Sequence, residues 1–347
     1  MNFKKIARFH LVYSLYITGL LSAIARIRLR KKAVVLMYHR VLTDEEFGEN
    51  SSMNGIVVRE GTFEKQMKYL AKKFHIISPD DFLVHMQKGI SFEPMSCLVT
   101  FDDGWKDNFK NALPVLKENK IPALVFLTTG FIGSGNSFWQ ERLIQSFHSL
   151  RRHVGQNSAQ NAESLPAMKN DEISKIVCSG ETEFREKVFI FTASQKKETA
   201  SRIEEIIALL NKGIKPHNER TLEDEVFLNW QEIEAMGQKG IWFGSHGISH
   251  QILPQLEKEQ IEKETSDSKD VIEEKLGKKV WAFSFPNGDY SEIALEAVKK
   301  KGYEIAFTTE KGPVGSKDDP YRIKRRNIFE DMTDSIPMFL ARVVGLW

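Results

Sequence analysis

Short apolar runs recur along the chain, each closed by a polar or glycine-containing stretch, and between them lie segments whose apolar positions repeat at helical spacing. Val34–Tyr38, Leu98–Phe101, Ala123–Thr128, Trp242–Ser245, Ala282–Phe285 and Glu304–Thr308 read as strands, short and apolar enough to be covered on both faces. Phe63–Lys73, Pro79–Lys88, Lys106–Asn119, Trp230–Lys239, Leu256–Leu276 and Ser291–Lys301 read as helices. Pro122 and Gly240 punctuate helix-to-strand turns. Strands alternating with helices predict a parallel sheet, and periodicity alone does not choose between a barrel and an open sheet.

The alternation stops between Gly130 and Leu228, where the chain becomes polar and rich in helical spacing, at Trp139–Ile144 and Glu183–Leu210, separated by a loop at Gln156–Leu165. This stretch, about 131–228, reads as an insertion in a catalytic domain spanning 33–347. Beside the rim of the sheet it would be either a substrate- or membrane-facing lid or a scaffold.

Residues 1–32 depart from the rest. Phe9–Ala25 is largely apolar, with Lys4, Lys5 and Arg8 before it and Arg26, Arg28, Arg30, Lys31 and Lys32 after it. A spanning helix needs about 20 apolar residues, and this run is shorter and contains His10. The pattern predicts a helix lying at a membrane surface, its basic flanks against anionic headgroups. A signal peptide cut after Ala25 and a helix packed on the domain are the competing readings. The expectation is a membrane-associated protein of the cell envelope, with the side of the membrane open.

Composition narrows the class. In 347 residues, 41% are hydrophobic and 28% charged, enough for a large core. A net charge of +2, from 49 Lys and Arg against 47 Asp and Glu, carries no nucleic-acid signature. The two cysteines, Cys97 and Cys178, make no disulfide framework.

Chemistry concentrates at strand ends. The run Cys97–Phe101 delivers Asp102 and Asp103 side by side, followed by Gly104. Adjacent carboxylates raise one another's pKa unless a cation or separate partners divide them, so the pair predicts a metal ligand, a general base, or both. As a polar turn it would mean nothing more. After Gly244-Ser245 come His246 and His250, a four-residue spacing that on a helical turn puts both rings on one face. Two imidazoles and one carboxylate make a three-ligand set with a position left for water, the pattern of a catalytic zinc.

Thr100–Gly104 and Ser245–His250 resemble the first two motifs of the polysaccharide deacetylases, carbohydrate esterase family 4 with its NodB-homology domain. The resemblance implies a distorted (β/α)7 barrel with a helical insertion, Asp102 as catalytic base, and a divalent metal held by Asp103, His246 and His250. Zinc suits these donors, and Co2+, Ni2+ or Fe2+ would fit them. The third motif is altered. In Ala282–Tyr290 only Pro286 is retained, with Ser284 at the place of the arginine that orients the base and Asn287 at that of a tyrosine. The Asn287 main-chain N–H remains available in principle as an oxyanion donor. For the missing arginine, Tyr321–Ile328 offers Arg322, Arg325 and Arg326, of which Arg326 is taken as the replacement. No histidine follows His250, whereas His39 ends an early strand, an order similar to that of the biofilm poly-N-acetylglucosamine deacetylases and implying His39 as general acid. Trp105 and Tyr290 are candidate sugar-stacking residues.

The resemblance, taken with the N-terminal segment, implies hydrolysis of N-acetyl groups on a cell-envelope sugar, an exopolysaccharide or its lipid-linked precursor. A catalytically silent metal- or carbohydrate-binding module is the alternative suggested by the altered third motif. A hydrolase of another amide or ester is the other.

Overall fold

The computed structural model describes residues 3–49, 52–156, 165–214 and 226–346. The six expected strands form, as β1 (Lys32–Tyr38), β2 (Ser96–Phe101), β3 (Ala123–Leu127), β4 (Ile241–Ser245), β5 (Ala282–Ser284) and β6 (Ile305–Phe307). They pair in sequence order and in parallel. Every residue of β2 and β3 is buried, as a parallel sheet covered on both faces requires.

Closure depends on a segment whose strand character was not expected. Ile323 bridges Phe307 of β6, and three residues later β7 (Arg326–Asn327) pairs in parallel with β1, Arg326 opposite Leu36. The two edges of the curled sheet are thereby joined, giving the distorted barrel. Its interior packs Val35, Leu98, Leu124, Phe126, Ile305, Phe307 and Ile323 into one apolar cluster. Ile323 and Arg325 share the parity that faces inward, whereas Arg326, opposite Leu36, faces outward.

The expected helices are present with small shifts at their ends, such as Glu60–Lys73, Pro79–Lys88, Trp230–Gly237, Lys258–Leu276 and Glu292–Lys300. Lys106–Asn119 differs: Asn108–Ala112 is a π-helix and only Leu113–Glu118 is regular. The wider turn sends the amides of Asn108 and Asn111 to the carbonyls of His39 and Val41, so it clamps the residues that follow β1, Val41 among them in the short strand Arg40–Leu42.

The apolar stretch near the N-terminus is two helices, α1 (Phe3–Ile17) and α2 (Leu20–Arg28). They are bent by 83° at a break where Gly19 has a φ of 75°. Among the described residues no single helix is long and apolar enough to cross a membrane. Both helices pack on the C-terminal helix Ile336–Val343. Val12, Leu21 and Ala25 are buried there, while Leu11, Ile17, Leu20 and Ile27 remain exposed.

A second compact unit is formed by Gly135–Asp224 with Glu49–Met53. Its helices Trp139–Gln156, Asp171–Val177, Glu181–Ser194 and Ala200–Asn211 enclose a core that includes Leu143, Phe147, Leu150, Phe184 and Val188. The loop read at Gln156–Leu165 lies, apart from its ends, outside the described residues.

Candidate metal centre and active site

Each strand of the barrel hands its last side chains to the same rim, where open loops follow. Asp102 follows β2, its N–H bonded to the Tyr38 carbonyl at 3.0 Å. At Asp103 the backbone turns into the left-handed region, φ 79°, and Gly104 continues the turn at φ 81°. A Cβ on Gly104 would lie 3.0 Å from the Leu127 side chain, so the turn needs glycine for space as well as conformation.

That turn separates the two carboxylates. Asp103 Oδ2 accepts the Trp105 indole N–H at 2.8 Å, while Oδ1 is buried with no hydrogen-bond partner. Facing Oδ1 are His246 Nε2 at 3.4 Å and His250 Nε2 at 3.3 Å. The ligand atoms of the three residues lie within 4.8 Å of one another, so the cluster is a candidate metal site. A buried carboxylate oxygen lacking a donor, aimed at two imidazole nitrogens, is the donor set a divalent cation fits.

The surroundings orient these ligands. His246 Nδ1 lies 2.7 Å from the Ser284 carbonyl, which fixes the N–H there and leaves Nε2 as a lone pair toward the cluster. His250 is reached through a loop, not the helical turn expected from its spacing. Positive φ at Gly247 (79°) and His250 (57°) bends the chain back, and the Glu264 carboxylate holds that bend by accepting the N–H groups of Ile248 at 2.6 Å and Ser249 at 3.0 Å. Glu264 and its task carried no local sequence signal, because it sits mid-helix in Lys258–Leu276.

Asp102 is held differently. Arg325 grips it with a two-pronged pair, Nη1 to Oδ1 at 2.6 Å and Nη2 to Oδ2 at 2.7 Å, both residues almost wholly buried. The guanidinium is itself anchored by the Thr308 carbonyl at 2.9 Å and the Ser284 hydroxyl at 2.8 Å. The arginine that grips Asp102 is therefore Arg325, not Arg326, and Ser284 stays beside that carboxylate by touching the same guanidinium. Arg326 lies on the outer face of β7.

Burial works against the charge on both carboxylates, but Arg325 and His246 hold Asp102 below its ordinary range, and the facing imidazoles of His246 and His250 hold Asp103 far below it. Burial pulls His250 down to about 4, against the opposing charge of Asp103. For His246 the two aspartates outweigh burial, and its value is raised. His39 directly follows β1, within electrostatic reach of the cluster. Burial lowers its pKa, the charges of Asp103 and Asp102 oppose that, and its Nδ1 is buried without a hydrogen-bond partner.

The remaining candidates divide. Trp105 is fully buried, stacked on Phe227 with ring centroids 4.6 Å apart, so it orients Asp103 and offers no face to a sugar. Pro286 is buried and opens the turn in which Asn287, exposed, takes a φ of 59°. Tyr290 is partly exposed, and its hydroxyl donates to Glu310 at 2.8 Å.

A parallel barrel carrying these groups at the carboxyl ends of its strands defines a hydrolase of the α/β class with a candidate metal centre. The chain belongs to the polysaccharide deacetylase family, whose profile matches residues 91–306; His39 and Arg325 lie outside that match. Similar proteins include YxkH of Bacillus subtilis, named after the same family, at 23% identity over 88% of this chain and 74% of the relative. The poly-beta-1,6-N-acetyl-D-glucosamine N-deacetylase of Staphylococcus aureus is 33% identical over 114 residues, 30% of this chain and 38% of that protein. Among solved structures, the fold is similar to the Streptococcus pyogenes deacetylase PplD in complex with acetate, with a TM-score of 0.58, 17% identity, and coverage of 90% of this chain and 98% of that one. It is also similar to IcaB from Ammonifex degensii, with a TM-score of 0.56, 18% identity, and coverage of 91% and 98%. The chain is accordingly a carbohydrate deacetylase, a hydrolase.

Proposed function

We propose that the protein removes N-acetyl groups from an N-acetylhexosamine polymer of the cell envelope, or from its lipid-linked precursor, with a divalent metal ion, zinc by preference, held by Asp103, His246 and His250. The carrying observation is the unequal treatment of the two adjacent aspartates: one has a bare oxygen facing two imidazoles, and the other is gripped by a guanidinium. A bound divalent ion would supply Lewis acidity, activating water and polarising the amide carbonyl.

The chain's own groups do the rest. Asp102, kept ionised by Arg325, accepts the proton of the attacking water. The Asn287 N–H is assigned to the oxyanion that develops on the former carbonyl oxygen. His39 returns a proton to the amine nitrogen as the C–N bond breaks and acetate leaves. Tyr290 is retained as a candidate sugar contact. The Staphylococcus aureus relative is named for poly-beta-1,6-N-acetyl-D-glucosamine, and a polymer of that chemistry is the first substrate to test. Residues 1–32 are proposed to hold the enzyme against a membrane surface, through the exposed Leu11, Ile17, Leu20 and Ile27.

The test is acetate release from N-acetylglucosamine oligomers by metal-loaded protein, with Asp102→Asn as control. Release by the wild type and its loss in the variant support the reading. A metal-loaded wild type that releases no acetate from any N-acetylhexosamine polymer or lipid-linked sugar overturns it in favour of a silent binding module.

A further inference from the structure

Arg326 is 92% buried by its 8% exposure, yet no carboxylate among the described residues pairs with it, and its Nε is buried without a hydrogen-bond partner. Two other guanidinium groups converge on the same place. Arg342, equally buried, donates through Nε to the carbonyl of Asn327, the residue next to Arg326, at 3.0 Å. Arg28 of α2 donates to the carbonyls of Val344 at 2.5 Å and Gly345 at 3.1 Å. The Arg326 Nη atoms lie against Gly345, so closely that a Cβ there would collide with them. Arg342 and Arg28 each disfavour the charge on Arg326.

Taking a guanidinium out of water without a counter-charge costs several kcal/mol, and setting it among others of its sign adds to that. Polar groups inside the barrel are arranged otherwise: Arg325, one residue away and still less exposed, is paired. A cluster of this kind calls for an anion with several oxygens, and the planar fork of arginine matches the edge of a phosphate. Its position supplies the source. Arg28 belongs to α2, whose exposed Leu20 and Ile27 lie on the same helix as the exposed Arg26, with Arg30, Lys31 and Lys32 exposed just beyond it. An apolar face bordered by cations is the surface an anionic bilayer receives.

We propose that Arg326, with Arg342 and Arg28, binds the headgroup phosphate of an anionic membrane lipid. The site itself stands on the arginine cluster; only its source of phosphate rests on the membrane-contact reading above, and neither depends on the deacetylase chemistry.

The experiment uses the full chain in two arms. In phosphate-free buffer, inorganic phosphate is expected to raise the melting temperature of the wild type but not of Arg326→Gln, and the variant without phosphate is expected to be no less stable than the wild type, because it loses a charge that no carboxylate among the described residues pairs with. In flotation with vesicles, the wild type is expected to bind phosphatidylcholine containing phosphatidylglycerol in preference to phosphatidylcholine alone. Arg326→Gln is expected to lose about tenfold or more of that preference while Arg326→Lys keeps part of it. Equal phosphate responses in wild type and Arg326→Gln, or none in the wild type, overturn the site. A phosphate response confined to the wild type, with no preference for phosphatidylglycerol, overturns the lipid as its source. Absence of binding to either vesicle overturns the membrane-contact reading, an outcome separate from any failure to release acetate.

Discussion

Replacing Arg325 by serine removes two charge-assisted hydrogen bonds, of 2.6 and 2.7 Å, from a carboxylate that is only 2% exposed. Asp102 then has two courses. It can stay ionised without a partner, and breaking a buried pair in this way costs about 3–5 kcal/mol of stability. Or it can take up a proton, because Arg325 is the largest of the influences opposing burial at Asp102. In the second case the base is lost at neutral pH. General-base catalysis is worth roughly 10²–10⁴ in rate, so kcat should fall by that order, and the acid limb of the kcat/KM profile should move to higher pH, since the pKa that defines it rises. The rescue is specific. Ser284 Oγ lies 2.8 Å from Arg325 Nη2 and 3.4 Å from Asp102 Oδ2, so Ser284→Arg combined with Arg325→Ser returns a guanidinium to the same carboxylate from β5. The double variant should recover at least tenfold of the lost activity, roughly 1.4 kcal/mol, and shift the acid limb back. The assay is acetate release across a pH series with melting temperatures measured in parallel. An Arg325→Ser enzyme with wild-type kcat and an unmoved acid limb would refute the assignment of Arg325 as the group that holds the base.

Other consequences follow from the same contacts. Asp103→Ala should abolish stoichiometric metal binding, measured by elemental analysis after dialysis, while Asp102→Asn retains it; equal loss in both would sink the division of labour. Trp105→Phe removes the 2.8 Å indole bond to Asp103 and should weaken metal affinity about 10–100-fold, seen in competition with a chromophoric chelator; unchanged affinity would make the tryptophan mere packing. Glu264→Gln, which weakens the hold on the His250 loop, should produce a loss of similar size, rescued by no change of pH. Metal loading requires neutral imidazoles. His250, held at about 4, is neutral through the physiological range, whereas His246 is raised and must give up its proton. Affinity should therefore fall as pH drops through the raised His246 value, with about one proton released per ion bound below it; calorimetry in buffers of different ionisation enthalpy would contradict this by showing none.

The strands were legible because parallel strands covered on both faces must be apolar throughout, as β2 and β3 are. The candidate metal cluster was legible because Asp102-Asp103 and His246…His250 are each local in sequence. What escaped reading depended on contacts between distant segments. Choosing Arg326 over Arg325 was an error of parity: adjacent residues on a strand face opposite ways, and the strand itself, too short to announce its register, could not be oriented by eye. A signal existed in Ile323, whose place in the barrel cluster assigns the odd-numbered positions to the interior. Trp105 read as a sugar platform because nothing local indicates that its indole N–H turns back two residues to Asp103. The helical turn expected at His246–His250 failed because Gly247 and His250 take positive φ, and the apolar N-terminal run broke in two at Gly19 for the same kind of reason.

The segment from Ile323 to Asn327 joins β6 to β1. It also means that the grip on Asp102 is a location and not a place in the chain order: Ser284 of β5 and Arg325 beside β7 both reach it. Any strand that ends near that point can supply the guanidinium. A relative lacking the arginine of the third motif is therefore better judged by whether a later inward-facing position carries one than by the motif alone, and a chain lacking both would have a base with nothing to keep it charged.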